Sequence, residues 1–158
     1  MSGSNSGSTL AICATAQPTA LADAAAYAAL TWVQVKHVGN IDETGILQNI
    51  LNYDTWDDAQ AIKAKGMVDG GSPNVELSAD AADAGQDALR TAAAPTNPLA
   101  YAFRITRNNK ATDGGTGRIE YFRALAVGPR RPNGRNEDFD LEVFTLGVVQ
   151  KEIVVDPT

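Results

Sequence analysis

The chain has one cysteine, one histidine and no long apolar run among its 158 residues. With Cys13 alone, an intrachain disulfide is excluded, and its neighbours Ile12 and Ala14 favour a buried, inert thiol. A transmembrane helix needs about 20 mostly apolar residues in a row, so we expect no membrane insertion. The N-terminus is rich in serine and glycine and lacks the basic region of a secretory signal, so we expect no such signal.

Chemically reactive groups are also sparse. His37 alternates with valines in a strand-like stretch, which favours a structural side chain, and no strained nucleophile turn accompanies it. The cluster of Asp54, Asp57 and Asp58 lacks the alternating oxygen ligands, turn glycine and distal glutamate of a calcium loop. The glycines of 108–117 lack the strand–GxxxxGK–helix context of a phosphate-binding loop. The sequence therefore predicts no enzyme, no metal site and no cofactor.

Charge is distributed unevenly along the chain. The formal net charge is −6, with −7 over residues 1–99, +6 over 100–135 and −5 over 136–158. Tight nucleic-acid binding is not expected, because it depends on phosphate contacts and these need a basic surface. The basic segment 100–135 is therefore the part of the chain whose charge calls for an acidic partner.

Hydrophobic periodicity predicts a mainly β domain, formed by a sheet with one flanking α-helix and a long hairpin arm. The length fits a single domain at 9–158, preceded by a flexible N-terminal arm at 1–8. The helix is predicted over Ser78–Ala94 and ends before Pro95, while the alanine-rich stretch 20–30 is compatible with a second, short helix. Strands are predicted at Thr9–Thr15, Thr31–Val38, Ile46–Tyr53, Asn74–Ser78, Ala100–Arg107, Arg118–Val127 and Phe139–Val149, with Lys151–Val155 as an extension or a separate tail strand.

The stretch Asp54–Pro73 is long for a connection and shows little apolar periodicity. We interpret it as an extended hairpin arm. Its large apolar side chains, which include Trp56, Ile62 and Met67, would be costly to leave in water, so we expect another subunit to cover them. The arm's candidates for a subunit or ring interface are Asp54, Trp56, Asp57, Asp58, Ile62 and Met67.

A second interface candidate is the turn region 128–136, which carries Arg130, Arg131 and Arg135. It lacks the interleaved aromatic residues of a single-stranded nucleic-acid site. One interpretation is an exposed hairpin tip. The other is that these arginines meet the acidic arm of a neighbouring copy, since opposite charges steer association and fix register. The second interpretation indicates self-assembly.

A series of segments follows in a characteristic order: a small N-terminal strand, Thr31–Val38 leading into Val38–Ile41, Tyr53-Asp54 before a long acidic loop, Asn74–Ser78, Asp83–Leu89, Tyr101–Ile105, Tyr121–Gly128 and a final strand at Asp140–Val149. This order and spacing, which cover most of the chain, resemble the major tail tube proteins of long-tailed, siphovirus-type bacteriophages. The lambda tail tube protein belongs to that family.

The resemblance implies a β-sandwich or barrel-like subunit that self-assembles into hexameric rings, stacked into a hollow conduit for DNA ejection. DNA would pass through it without specific binding. Further implied partners are tape-measure, tail-tip and tail-terminator proteins, with the protein located in the virion tail after assembly in the host bacterial cytoplasm. Because the chain ends soon after its last predicted strand, we do not expect the additional immunoglobulin-like domain of some members.

A conduit for DNA requires a lumen to which phosphate does not adhere, and carboxylates repel phosphate. Glu120, Asp140 and Glu142 lie in predicted strands and are the first candidates for lumen-facing acids. The alternative is that they belong to an ordinary solvated sheet face.

Two further functions are compatible with the sequence: a soluble β-sandwich binding module that acts through its long loop, and a small hydrolase. A tube subunit predicts rings or tubes as the protein concentration rises, whereas a binding module predicts a stable monomer. A hydrolase predicts a cleft with perturbed titratable groups.

Overall fold

The structure, a computed structural model, describes residues 4–158. In chain order, this part of the protein forms β1 (Thr9–Cys13), α1 (Ala24–Ala28), β2 (Trp32–Val35), β3 (Val38–Ile41), β4 (Leu47–Tyr53), β5 (Ile62–Asp69), β6 (Asn74–Ser78), α2 (Ala84–Ala92), β7 (Tyr101–Thr106), β8 (Ile119–Arg130) and β9 (Leu141–Val155). The predicted mainly β class is confirmed. Neither helix in 4–158 has the length and apolar character needed to cross a bilayer.

Seven strands form one antiparallel sheet in the order β2-β1-β7-β8-β9-β6-β3. Its edge strands, β2 and β3, are consecutive in the chain and joined only by Lys36 and His37. Since three Cα–Cα steps span at most about 11 Å, the two edges of the sheet must approach each other. The sheet is therefore rolled into a barrel-like body. The other two strands, β4 and β5, form a separate hairpin.

The main hydrophobic core fills the inside of this roll. Side chains alternate along the strands, so that Phe122 of β8 and Phe144 and Leu146 of β9 are buried in it. The Phe103 ring of β7 stacks on Phe122 with a centroid separation of 5.6 Å. Helix α2 closes the roll and adds Leu89, which is fully buried.

A smaller cluster covers part of the outer face of the sheet. Tyr27 of α1 is fully buried there and stacks on Tyr121 of β8, with ring centroids 5.3 Å apart. Trp32 lies against the same ring, and the Arg104 guanidinium is 5.1 Å from the centre of the Trp32 ring. Burial raises the pKa of the Tyr27 hydroxyl. Cys13 belongs to this cluster and is buried, as predicted.

Helix α2 is docked at the corner between β2 and β3 by its first residues. Its N-cap, Asp83, accepts hydrogen bonds from the backbone N–H of Gln86 at 3.0 Å and of Lys36 at 3.1 Å. Gly85 allows the close approach, because a Cβ at this position would overlap the Gln34 carbonyl oxygen. The cap therefore fixes the helix to a chain segment 47 residues away.

The fully buried side chain of Gln86 completes this corner. Its Nε2 donates to the carbonyl oxygens of Lys36 and Ser78, at 2.9 Å each. Its Oε1 accepts from the Asp80 N–H at 2.8 Å and from the Arg90 guanidinium at 3.0 Å. Every polar atom of the amide group is thus engaged, and the bonds join α2, the end of β6 and the connection from β2 to β3.

The predicted start of this helix is wrong. Ser78 belongs to β6, where it pairs with Leu141 of β9, and Asp80 lies in the connection before the helix. The first helical residue is Ala84. The short helix compatible with 20–30 is present as α1, so the sheet has two helices beside it rather than one.

The predicted strand Thr31–Val38 is divided in two. His37 lies at the corner between β2 and β3 with φ 60°, where the chain passes from one edge of the sheet to the other. Its Nε2 lies 3.3 Å from Asp80 Oδ2. The next strand begins at once, since β3 contains Val38, Gly39 and Asn40. The strand that was predicted to include His37 therefore ends at Val35, two residues before it.

The last two strands are longer than predicted. β8 continues to Arg130. β9 runs without interruption from Leu141 to Val155, so it contains most of the predicted strand Phe139–Val149 and the whole of the predicted tail strand. At the other end of the chain, residues 1–3 of the predicted flexible arm lie outside the described residues. Within its remainder, Ser6 and Ser8 accept hydrogen bonds from Asn108 at 3.0 and 3.3 Å.

Candidate assembly surface

The hairpin formed by β4 and β5 stands away from the barrel. All seven residues of β4 are exposed, and so are all residues of β5 except Gly66. The interpretation of this region as an extended hairpin is confirmed, but the hairpin begins earlier than predicted. Leu47–Tyr53 forms its first strand instead of joining the main sheet.

One face of the hairpin is apolar. Leu51 lies opposite Ala64 and Tyr53 opposite Ile62, and residues directly opposite each other share a face. Leu47 follows on the same face by alternation. The exposed fractions of Leu51, Tyr53 and Ile62 are 57%, 70% and 53%, so this face has no cover within the described chain.

The other face of the hairpin is mixed. Ile50 lies opposite Lys65 and Asn52 opposite Lys63, whose Nζ donates to Asn52 Oδ1 at 2.8 Å. A register shift between Gln48 and Ile50 places an extra residue in β5, so the hairpin carries a β-bulge. The first face is thus mostly apolar, whereas the second carries Lys63 and Lys65 together with the exposed Ile50 and Val68.

The tip of the hairpin brings together four of the predicted interface residues. Trp56 is fully exposed, and Asp54, Asp57 and Asp58 around it are exposed as well. The two other predicted arm residues, Ile62 and Met67, lie in β5 rather than at the tip, and Met67 is 89% exposed. An apolar anchor surrounded by carboxylates is therefore presented at the far end of the arm.

The predicted basic residues Arg130, Arg131 and Arg135 are exposed near the β8–β9 turn. Arg131 has an acidic partner in its own chain, since its Nη2 lies 3.5 Å from Glu142 Oε2. One of the three arginines therefore has an acidic partner within its own subunit. The Arg130 guanidinium makes one hydrogen bond, of 3.4 Å, to Asn74 Oδ1.

Glu142, predicted to face a lumen, is instead 3% exposed inside the subunit. Its Oε1 lies 2.7 Å from Arg90 Nη2, and Arg131 approaches its other oxygen. The hydrogen bond to Glu142 is also the largest cause of the raised pKa of the Arg90 guanidinium. The carboxylate is therefore neutralised between two arginines.

Glu120 has the same arrangement at the opposite end of the sheet. It is 5% exposed and lies 3.1 Å from both Arg107 Nη2 and Arg118 Nε. Glu120 precedes the inward-facing Phe122 by two residues, and Glu142 precedes Phe144 by two, so both carboxylates point toward the core side. Glu120 and Glu142 are thus members of buried ion pairs and not free acids on a lumen surface. Asp140 is exposed and stays a candidate.

Glu152 of β9 has a raised pKa, caused first by its burial and then by the neighbouring Glu120 carboxylate. A raised folded-state pKa means that ionised Glu152 lowers stability at neutral pH, and this cost disappears as the pH falls through the raised pKa. We therefore expect Glu152→Gln to raise the Tm at pH 7 by roughly 1–3 °C and to lose this advantage at acidic pH. Thermal unfolding at both pH values tests this, with the exposed Glu137→Gln as control. An advantage that persists at acidic pH would contradict it.

A second uncovered apolar surface lies on the outer face of the sheet. Along β8, Ala124 and Ala126 point into the core, so Leu125 and Val127 point outward, with exposed fractions of 41% and 57%. Their partners on β9 are Gly147 and Thr145. We call these residues, with Val143 beyond them on β9, the outer strip: Leu125, Val127, Val143, Thr145 and Gly147.

Several exposed apolar residues were not identified from the sequence as interface candidates. Leu51 and Tyr53 belong to the predicted strand Ile46–Tyr53, which was placed outside the arm, but they lie on the apolar face of the hairpin. Phe139 was assigned to a strand, but it lies in the β8–β9 turn with 81% of its surface exposed. The signal that could have found it is its position among Glu137, Asp138 and Asp140, where a core strand residue is unusual.

A cleft lies at the base of the hairpin, between residues 41–47 and 70–73, with a volume of about 600 Å³. Its carboxylates are Asp42 and Glu43. Asp42 accepts hydrogen bonds from the backbone and side-chain N–H groups of Asn74, at 3.2 and 2.9 Å. Its role is therefore to hold the hairpin connection to β6.

No family model matches the sequence, and no curated protein matches it significantly. Solved structures do share its fold. A chain from the sheath/tube terminator of the extracellular contractile injection system PVC, in its extended state, has a TM-score of 0.67 and 9% identity over 98% of this chain and 97% of its own. A chain from the six-fold symmetrised baseplate of the anti-feeding prophage has a TM-score of 0.61 and 10% identity, covering 94% and 91%.

A third chain comes from the tube-terminating cap of the anti-feeding prophage, with a TM-score of 0.56 and 15% identity over 78% of this chain and 82% of its own. All three likenesses extend over most of both chains. At these identities they show a common fold, so the barrel-like body described above is one that also occurs in chains of contractile injection particles.

Proposed function

We propose that the protein is a non-enzymatic structural subunit of a phage-tail-type particle, which self-assembles into stacked hexameric rings around a DNA conduit. The observation that carries the proposal is the hairpin, whose apolar face and Trp56 lie in water in the single chain. Large apolar side chains concentrated on one exposed feature mark an interaction site. The shared fold of the baseplate, terminator and cap chains supports placing that site in an assembled particle.

In a ring, each subunit contacts the next through two different surfaces, and this head-to-tail contact closes into a ring when the rotation completes a circle. The hairpin is one such surface, and it projects from the barrel on connections that contain Gly45 and Gly71, both at positive φ. Stacking of rings would require a further contact, for which the exposed Phe139 in the β8–β9 turn is available. Hexamers stacked in this way would form the continuous wall of a tube.

A conduit role fits the net charge of −6. An acidic wall repels the phosphate backbone, so DNA would slide through without adhering. Asp140 is the exposed member of the three proposed lumen acids. In the particle, the tube would meet tape-measure, tail-tip and tail-terminator proteins, with the chain located in the virion tail after assembly in the bacterial cytoplasm.

The hairpin allows a direct test of self-assembly with two matched variants. Leu51→Glu changes the apolar face, and Ile50→Glu changes the adjacent residue on the opposite face, where the exposed fraction is a similar 65%. Burial of a leucine side chain contributes roughly 1.5–3 kcal/mol, so we expect Leu51→Glu to weaken assembly at least about tenfold. We expect Ile50→Glu, placed opposite Lys65, to have little effect.

The measurement is sedimentation velocity over a concentration series of the wild-type protein and both variants. The proposal expects wild-type particles much larger than a monomer. A wild-type protein that stays monomeric at every concentration would contradict it and favour the alternative, a soluble binding module that presents its hairpin to a different protein. Equal loss of assembly in both variants would show that the apolar face is not the contact.

A further inference from the structure

Resting on the proposed self-assembly, we propose that the apolar face of the hairpin docks onto the outer strip of a second copy of the same chain. Within residues 4–158, the apolar face of the hairpin and the outer strip are uncovered apolar surfaces on separate parts of the fold. In the single chain, Leu51 and Tyr53 of the hairpin and Leu125 and Val127 of the outer strip are all exposed. A second copy satisfies both surfaces with one contact that repeats from subunit to subunit.

The two surfaces have matching spacing. Leu51 and Tyr53 are two residues apart on one strand, and Leu125 and Val127 are two residues apart on another. Side chains two apart on a strand point the same way with a separation of about 7 Å. Leu51 can therefore lie against one outer-strip side chain while Tyr53 lies against the next. The partner position opposite Leu125 is Gly147, which leaves room for an incoming side chain.

The charges at the ends of the two surfaces are complementary. Beyond Tyr53 the hairpin continues into the tip that carries Asp54, Asp57 and Asp58. Beyond Val127 the outer strip continues to Arg130, which pairs with Val143 across the sheet and is exposed. Both surfaces thus run from apolar to charged, with acids on one and a base on the other, and this fixes the docking direction.

Other charged groups near the outer strip are already engaged or lie at its side. At the end opposite Arg130, the Arg123 guanidinium donates to Gln150 Oε1 at 3.2 Å and to the Gln17 carbonyl oxygen at 3.1 Å. Glu76 of β6 lies opposite Val143 and is half-buried at the side of the strip. Arg131, tied to Glu142, is not required for the contact.

Cysteine pairs test the docking directly. A chain with Leu51→Cys and Leu125→Cys is compared with a chain carrying Ile50→Cys and Leu125→Cys, which moves the hairpin thiol to the opposite face. The native Cys13 is buried and does not compete. After treatment with a short bismaleimide under assembly conditions, we expect the first chain to give a ladder of linked subunits with about tenfold more linked product than the second.

Both chains are first examined by negative-stain microscopy. If particles form but the two chains give equal linked product, the docking is wrong while the proposed function stands. If neither wild-type protein nor variants form particles at any concentration, the proposed function fails and the docking fails with it.

Salt provides a second measurement, since Arg130→Glu should weaken assembly several-fold at low salt and less at high salt, where charges are screened. An Arg130→Glu effect independent of salt would remove the charge contribution.

Discussion

Replacing residues 48–68 by a two-residue Asn-Gly turn should give a folded subunit that no longer assembles. Leu47 and Asp69 lie opposite each other at the base of the hairpin, so a tight turn can join them without distorting the barrel. The removed residues are exposed and contribute little to the core. We therefore expect the Tm to change by no more than about 3 °C, as for other surface changes, while assembly is lost.

The loss of assembly should be large because several apolar side chains leave the contact together. Each fully buried Leu or Ile side chain stabilises a contact by roughly 1.5–3 kcal/mol, so losing two or more weakens association at least about 100-fold. The variant for comparison is a smaller deletion of residues 55–60, which removes only the tip, including Trp56, and keeps both faces of the hairpin. Circular dichroism and sedimentation measure folding and assembly separately. A shortened chain that still assembles at wild-type concentrations would show that the hairpin is not the assembly device.

Gln86→Met should be the most destabilising of the single substitutions considered in the barrel. Methionine has nearly the same length, so packing is kept while the four hydrogen bonds of the amide are lost. The carbonyl oxygens of Lys36 and Ser78 would then lose a buried donor. Each buried unsatisfied group costs about 1–3 kcal/mol, so we expect a loss of about 3–5 kcal/mol and a Tm lower by roughly 10 °C.

The control for this substitution is Gln34→Met on β2, where the glutamine is exposed and its side chain is not part of the corner. We expect that variant to keep its free energy of unfolding within about 0.5 kcal/mol of the wild-type value. Urea unfolding measures both. Equal stability of the two variants would mean that the corner is held by Asp83 and by packing alone, without the Gln86 amide.

The strands with clean alternation could be predicted from the sequence. Tyr101, Phe103 and Ile105 of β7 alternate within the predicted strand Ala100–Arg107 and are buried in the main core, while Ala102 is buried on the other face in the Tyr27 cluster, so β7 is covered on both faces there. The start of α2 could not be placed from local preference alone. The N-cap is Asp83, whose bond from the Lys36 N–H is a tertiary contact that the local sequence does not show. The local signal for this cap was the spacing of Asp83 and Gln86, which is that of a capping box.

The candidate site was predictable in outline. An overlong, acidic arm with unpaired apolar residues was visible in the composition of Asp54–Pro73, and its first strand was missed because a hairpin strand and a sheet strand have the same periodicity. The role of Glu142 was missed although it alternates with Phe144 and Leu146, which already placed it on the core side. Its partners Arg90 and Arg131 come from distant parts of the chain, so only the fold brings the three together.

Negative-stain microscopy of the concentrated wild-type protein tests the central claim most directly. A structural tube subunit predicts annular particles with six-fold class averages and a central hole, with short stacks at higher concentration. The same preparation should lose these particles when residues 48–68 are replaced. A uniform field of single barrel-sized particles at every concentration would contradict the claim.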